Sequence, residues 1–442
     1  MAQREDKMTM TMTTGAVQVT AAPAIGRTRL IAACTIGNAL EFYDFVIYSF
    51  FAATIGALFF PSQDPTVQLL LSFATYGVGF LMRPLGGVVL GSFADRKGRK
   101  AATVLTLFLM ALGTGMIGLA PTYAQIGVAG PLFVVLGRLI QGFSAGGEVG
   151  ASTTLLAEYA PPKERGFFGS WQLASQGAAI LVAASIAWTI NTLLTPEEVK
   201  AWGWRVPFII GILIVPIGLW LRRALRETHA NESDARTRAV SSLGVALGQH
   251  WRKILVGIAL IIGGTAANAV VVLYMSTYAI RQLGMAPTTA LFAGITAGLV
   301  TLIVAPFAGA ISDRIGRRPV IGFSYLAIAL LIYPAFLLIN ASPSLPTLLA
   351  VVVVLASFNA GGGAPAIISL AEVFPVEVRA TGMSLVYAVG VAIFGGFGQF
   401  IVTWLIASTG SPIAPAWYVI ACCMATLLAL RGTPETARTQ LG

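Results

Sequence analysis

Apolar stretches too long and too many for a soluble core set the terms for this chain. LLLSFATYGVGFLM and VVVVLASF show neither the alternation of a strand nor the polar stripe of a surface helix. Twelve such spans can be placed, at approximately 29–60, 66–92, 101–121, 124–157, 166–192, 204–222, 252–282, 288–312, 319–340, 346–373, 379–409 and 414–431. Crossing a bilayer takes about 20 apolar residues as a helix. In lipid, only helices and closed barrels satisfy every backbone donor and acceptor. Composition agrees: of 442 residues 56% are hydrophobic and 10% charged, and the mean hydropathy is +0.81. Soluble domains carry about 25% charged residues. The sequence therefore predicts an all-α integral membrane protein.

The net charge of +10 reports topology rather than a nucleic-acid partner. Of 28 Lys and Arg residues, 23 fall in one alternate set of loops and tails. Only Lys200, Arg205 and Arg281 fall in or beside the other set, and Arg83 and Arg138 lie inside spans. By the positive-inside rule both termini are cytoplasmic, as in a multi-pass protein of a cell inner membrane. Cys34, Cys422 and Cys423 all fall within spans, which implies no disulfide framework. Residues 1–28 lack the apolar core of a cleavable signal and read as a disordered cytoplasmic tail.

The chain is also internally repeated. GSFADRKGRK at 91–100 returns as GAISDRIGRR at 309–318, and LLAEYAPPKERG at 155–166 as SLAEVFPVEVRA at 369–380. Glu158, Pro161 and Arg165 align with Glu372, Pro375 and Arg379, each 214 residues later. The pairs follow spans 2 and 8, and spans 4 and 10, so two six-span halves share one orientation. The expected boundaries are 29–222 and 251–431, with a charged linker over 223–250 and a second tail over 432–442. Parallel repeats about an axis along the membrane normal are a transporter architecture, with the substrate held near the midplane between the halves.

The paired knots resemble the loop signatures of the major facilitator superfamily, and LGRLIQGFSAGGEVG resembles its Arg-containing fourth-helix signature. NALEFYDF, FLMRPLGG and WGWRVPF together are similar to the metabolite:proton symporter branch of that superfamily. The likeness covers about residues 29–431 and implies twelve helices in two pseudo-symmetric six-helix bundles. It also implies a secondary transporter that works by alternating access.

Within each knot, Gly91, Gly98 and Gly316 are expected, like Gly309, to permit close helix approach or a tight reversal. Asp95 and Asp313 can accept bonds from free N–H groups at a helix start. The cations Arg96, Arg99, Arg314 and Arg317 suit exposed helix carbonyls and the cytoplasmic surface. With Glu158, Arg165, Glu372 and Arg379 they form a candidate cytoplasmic gate. The plainer role is that of topology determinants and lipid anchors.

An ionised side chain at a helix centre costs roughly 2.5–3.5 kcal/mol on insertion scales. Glu41, Asp44, Arg83, Arg138 and Glu148 all incur that cost, and all lie in the first half. Asn38, Glu41 and Asp44 follow at intervals of three, which keeps them within about 120° on one helix face. Two close carboxylates in a low dielectric do not both ionise easily, which suits a proton carrier. His229 and His250 lie outside the spans, so the expected carrier is a carboxylate: Asp44, then Glu41, then Glu148. A static pair holding span 1 to Arg138 or Arg83 is the alternative. Arg138, always charged, suits a bidentate grip on an anion, and Arg83 is the second candidate contact. Gln172 and Gln176, with Asn268, Tyr274 and Asn359 from the second half, complete the expected substrate residues, although such groups also glue helices together.

Two buried arginines beside acids favour an anionic or zwitterionic metabolite moved with protons. Within the resemblance, the motif order looks closest to citrate- and tricarboxylate-type proton symporters. Carriers of dicarboxylates such as 2-oxoglutarate, of aromatic acids or of osmolytes such as proline or betaine are the alternatives. Some osmolyte carriers extend into a charged coiled coil, whereas this sequence ends about eleven residues after its last span. A nutrient sensor on a transporter scaffold would be expected to add a soluble domain. No P-loop, metal-ligand cluster or nucleophile–base set is present, so an enzyme, a primary pump, a cofactor and a metal are not expected; the coupling ion is the proton and the working unit a monomer.

Overall fold

The computed structural model describes residues 27–147, 156, 160–161, 163–212, 248, 250–375 and 379–437. The first half comprises α1 (Arg27–Phe59), α2 (Pro65–Leu81), α3 (Arg83–Lys97), α4 (Arg99–Gly118), α5 (Ala129–Ser144), α6 (Arg165–Leu193) and the shorter α7 (Gly203–Ile212). The second half comprises α8 (Trp251–Ala267), α9 (Met275–Arg281), α10 (Phe292–Ile315), α11 (Arg317–Ala341), α12 (Leu345–Val373), α13 (Arg379–Val391), α14 (Gly398–Thr409) and α15 (Ala414–Arg431). Among the described residues nine helices are long and apolar enough to cross a membrane, and Val104–Gly118, Ala129–Ser144 and Gly203–Ile212 are shorter apolar helices. Every expected span coincides with helix in its described part.

Local chemistry sets the boundaries. Asp64 caps α2, accepting a bond from the Thr66 N–H at 2.7 Å, with Pro65 in the first turn. The two knots fold alike: α3 ends at Lys97, Gly98 takes φ +86°, and α4 starts at Arg99; α10 ends at Ile315, Gly316 takes φ +108°, and α11 starts at Arg317. Positive φ reverses the chain within one residue, which an L side chain resists. Among the described residues π segments interrupt two spans, Asn268–Tyr274 between α8 and α9 and Ala392–Gly396 between α13 and α14, both in the second half.

Glycines let helices meet backbone to backbone. A Cβ at Gly142 would collide with the Gly79 carbonyl, and one at Gly86 with that of Phe143, so α5 lies directly on α2 and α3. At Gly91, where a close approach is expected, no atom of the described residues lies within 4 Å of the Cβ position, and the chain that follows Gly147 lies outside them. One turn earlier, Gly146 lies against Gly87. The run around Gly362 packs Ser324 and Tyr325, and α12 continues through Pro365. A Gly142→Val substitution is expected to destabilise by about 3 kcal/mol, the upper end of overpacking, because a carbonyl has no rotamer to move to. Thermal melting of the purified protein in detergent checks this.

The halves meet most closely along α6 and α10. A Cβ at Gly177 would come 2.9 Å from the Gly298 carbonyl, and one at Gly298 equally close to that of Gly177. Toward the end away from the knots, Gln399 of α14 donates to the Ser49 hydroxyl of α1 at 2.5 Å, and Phe73 packs edge-on against Tyr274.

Candidate functional site

Arg138 is fully buried. Its guanidinium lies 3.9 Å from the Tyr48 ring centre and 5.1 Å from that of Tyr76, in cation–π contact with both. It donates to Gln141 Oε1 at 3.0 Å and to the Phe45 carbonyl at 3.4 Å. Arg83, at the first turn of α3, stacks on Phe80 at 4.3 Å and Phe45 at 4.6 Å. The polarised ring faces stand in for the water that each cation has lost. Phe45 is shared, so the two expected substrate cations do lie side by side.

Asp44 is 3% exposed and makes no ion pair with Arg138. Its Oδ2 accepts from the Thr114 hydroxyl at 3.1 Å, Thr114 accepts from Gln141 Nε2 at 2.8 Å, and Gln141 binds Arg138. The acid and the cation are thus connected through two neutral side chains. Asp44 Oδ1 has no hydrogen-bond partner and faces Gly211 of α7, where a Cβ would collide with it.

Between the halves lies a cavity of about 80 Å³. Both halves line it, and five of its residues are aromatic: Phe42, Tyr76, Phe80, Tyr325 and Tyr387. Of the expected substrate residues, Gln176, Asn268 and Asn359 reach it. Gln176 Nε2 also donates to the Tyr387 hydroxyl of α13 at 3.4 Å, a bond across the halves. The Asn359 carbonyl oxygen is buried without a partner.

The other expected substrate residues are placed differently. Asn38 does not face the cavity; its amide donates to Ser175 at 2.8 Å and to the Gln172 carbonyl at 3.1 Å, tying α1 to α6. The 120° arc from Asn38 to Asp44 is wide enough for the two to meet different helices. Gln172 is fully buried and absent from the lining. Tyr274 accepts from Thr403 at 3.2 Å and also lies off the cavity. Arg83 and Arg138 stand one ring behind the wall, since Phe80 and Tyr76 carry them on the outer side. Asp44 and Glu41 are absent from the lining too. Glu148 and Glu158 lie outside the described residues, as do the side chains of Asp95, Arg96 and Arg99.

At the knot end, Asp313 accepts from the N–H groups of Gly166 at 2.8 Å and Phe167 at 2.9 Å, the first turn of α6 in the opposite half. Arg317 pairs with Asp313 at 2.9 Å and with Glu372 at 3.1 Å, and donates to Ser312 at 2.6 Å. Arg165 lies within the field of Glu372, Arg379, Arg317 and Asp313, and Arg314 is exposed on the same turn. Arg379 donates to the Phe374 carbonyl at 3.2 Å. Glu435 follows α15 and accepts from the Arg317 N–H at 2.8 Å and the Arg318 N–H at 3.0 Å. Burial alone would raise its carboxyl, but those donors, the Ala437 N–H and the Arg317 charge hold it below the ordinary glutamate range.

Sequence reasoning missed Thr114, Gln141, Gly211, Tyr325 and Tyr387. Gln141 stands one helical turn after Arg138, a signal that could have found it. Thr114 lies in an ordinary apolar span, and Tyr325 is aimed inward by glycines on other helices, Gly264 and Gly362. Neither leaves a local trace.

The family described as sugar (and other) transporter matches residues 30–238 and 222–442. The chain is 37% identical over 417 residues to a citrate-proton symporter of Klebsiella pneumoniae, covering 94% of each. It is 34% identical to a glycine betaine/proline/ectoine/pipecolic acid transporter of Dickeya dadantii, over 94% of this chain and 85% of that one. In fold it is similar to a solved D-xylose-proton symporter, with a TM-score of 0.73 at 20% identity over 94% of this chain and 99% of that one. With each half matched along nearly its whole length, the chain belongs to the sugar (and other) transporter family of the major facilitator superfamily, a transporter and not an enzyme.

Proposed function

We propose that the protein is a proton symporter that imports citrate or a related tri- or dicarboxylate by alternating access, working as a monomer in the bacterial inner membrane with both termini in the cytoplasm. The observation that carries this is the setting of Arg138, a fully buried cation joined to a buried acid through two neutral groups and separated from the cavity by one ring. A proton on Asp44 removes the negative end of that connection and leaves the Arg138 charge for an anion. Arg83 offers a second cation behind Phe80. The relatives named as citrate-proton symporters support the choice of substrate. In this account the Asp313 contact closes the cytoplasmic side and breaks when the cavity opens inward.

One observation favours a second substrate class. Among the described residues the cavity wall itself holds five aromatic rings and amides but no charged side chain. Such a wall suits a compact zwitterion with a quaternary ammonium, and relatives named for proline and betaine share the likeness. Counterflow in proteoliposomes separates the two. Vesicles loaded with unlabelled citrate are expected to draw in labelled citrate, and unlabelled proline or betaine to leave that flux unchanged. Exchange with betaine and none with citrate would reverse the assignment.

A further inference from the structure

We propose that Thr114 and Gln141 are positioning residues of the proton-coupling machinery, a hydrogen-bonded relay that ties the charge on Asp44 to the hold on Arg138. The inference rests on the symport reading for its purpose, but its geometry stands independently. Arg138 has donors only, so Gln141 must turn its amide oxygen toward it. That leaves the Gln141 NH₂ for Thr114, whose hydroxyl receives it at 2.8 Å. The single Thr114 proton is then left for Asp44 Oδ2, at 3.1 Å. Every bond runs one way, from the cation to the acid, and bonds in such a chain polarise one another.

The free oxygen completes the argument. Asp44 Oδ1 is buried and has no hydrogen-bond partner among the described residues, so a proton taken up there leaves the Thr114 bond to Oδ2 intact. A proton taken up from one aqueous side rests on Oδ1, cancels the charge at the end of the chain and leaves to the other side, restoring it. Among the described residues the groups facing this site are few. Tyr43 and Glu41 flank Asp44 on α1, with the Tyr43 hydroxyl donating to the Pro207 carbonyl; α4 brings Thr114, and α5 brings Arg138 and Gln141. Tyr48 and Tyr76 act only on the Arg138 end, and α7 presents Gly211.

The test follows the Asp44 carboxyl directly, by pH-dependent infrared difference spectra of the purified protein, using the carbonyl band that vanishes in Asp44→Asn. Thr114→Val is expected to displace the midpoint of that band by about one pH unit to the alkaline side, because a donor to the ionised form is lost. Thr114→Ser restores the wild-type midpoint. Gln141→Met, which does not touch Asp44, moves it the same way by a smaller amount, a shift that a packing role would not produce. Melting curves establish that each variant is folded. A wild-type midpoint in Thr114→Val or in folded Gln141→Met overturns the relay. Absence of gradient-driven citrate uptake by the wild type, with the midpoint shifts intact, would instead remove the symport reading and leave the relay standing.

Discussion

Asp44→Asn is expected to abolish accumulation of substrate driven by an inward proton gradient while leaving exchange of substrate across the membrane measurable. Asn fills the same space and accepts the Thr114 bond, but it carries neither a charge nor an exchangeable acidic proton. Proteoliposomes with an imposed pH gradient, compared with the same vesicles in counterflow, separate the two activities. Accumulation at the wild-type level would eliminate Asp44 as the carrier and pass the role to Glu41 or Glu148. Asp44→Glu is not expected to substitute. Its extra methylene would drive the carboxyl into Gly211, whose Cα already lies against Asp44 Oδ1 with no space for a Cβ.

Asp313→Ala is expected to open the knot end of the molecule. The carboxylate holds two backbone N–H groups of the opposite half, at 2.8 and 2.9 Å. Bonds to an ionised acceptor are worth about 1.5–3 kcal/mol each, so losing both shifts the closed–open balance by about a hundredfold or more. Arg317 keeps its pairing with Glu372 at 3.1 Å, so the variant is left without an isolated buried cation. Spin labels at the exposed positions Lys163 and Arg314, in a background without the native cysteines, report the distance between α6 and α10. The expected distribution is longer and broader in Asp313→Ala than in the wild-type pair. An unchanged distribution would reduce the contact to a topology determinant.

The candidate site was legible in part. Arg83, Arg138 and Asp44 announced themselves by cost, because a charge among apolar residues has to be matched inside the protein. Gln176, Asn268 and Asn359 were found as polar residues on apolar spans, and all three line the cavity. Asn38 and Tyr274 gave the same signal and lie off that cavity, one tying α1 to α6 and the other bonded to Thr403. An amide that glues helices and an amide that awaits a ligand look alike in a string of letters. Which one it is depends on whether a partner stands opposite, and partners come from helices more than a hundred residues away.

The knots show the same division. The sequence by itself determined that helices would cross a bilayer, that the pattern of one half would return in the other, and that Gly98 and Gly316 would turn the chain. Those follow from hydrophobicity, spacing and the freedom of φ, all local properties. It also determined that Asp313 would accept bonds from a helix start. Only the tertiary structure decided that this start belongs to the other half, that two neutral side chains separate Asp44 from Arg138, and that both arginines stand behind aromatic rings rather than in the cavity. The reason is physical. A buried charge must be satisfied, but the energy needed can come from a carboxylate, an amide or a ring face, and the packing of distant helices selects among them.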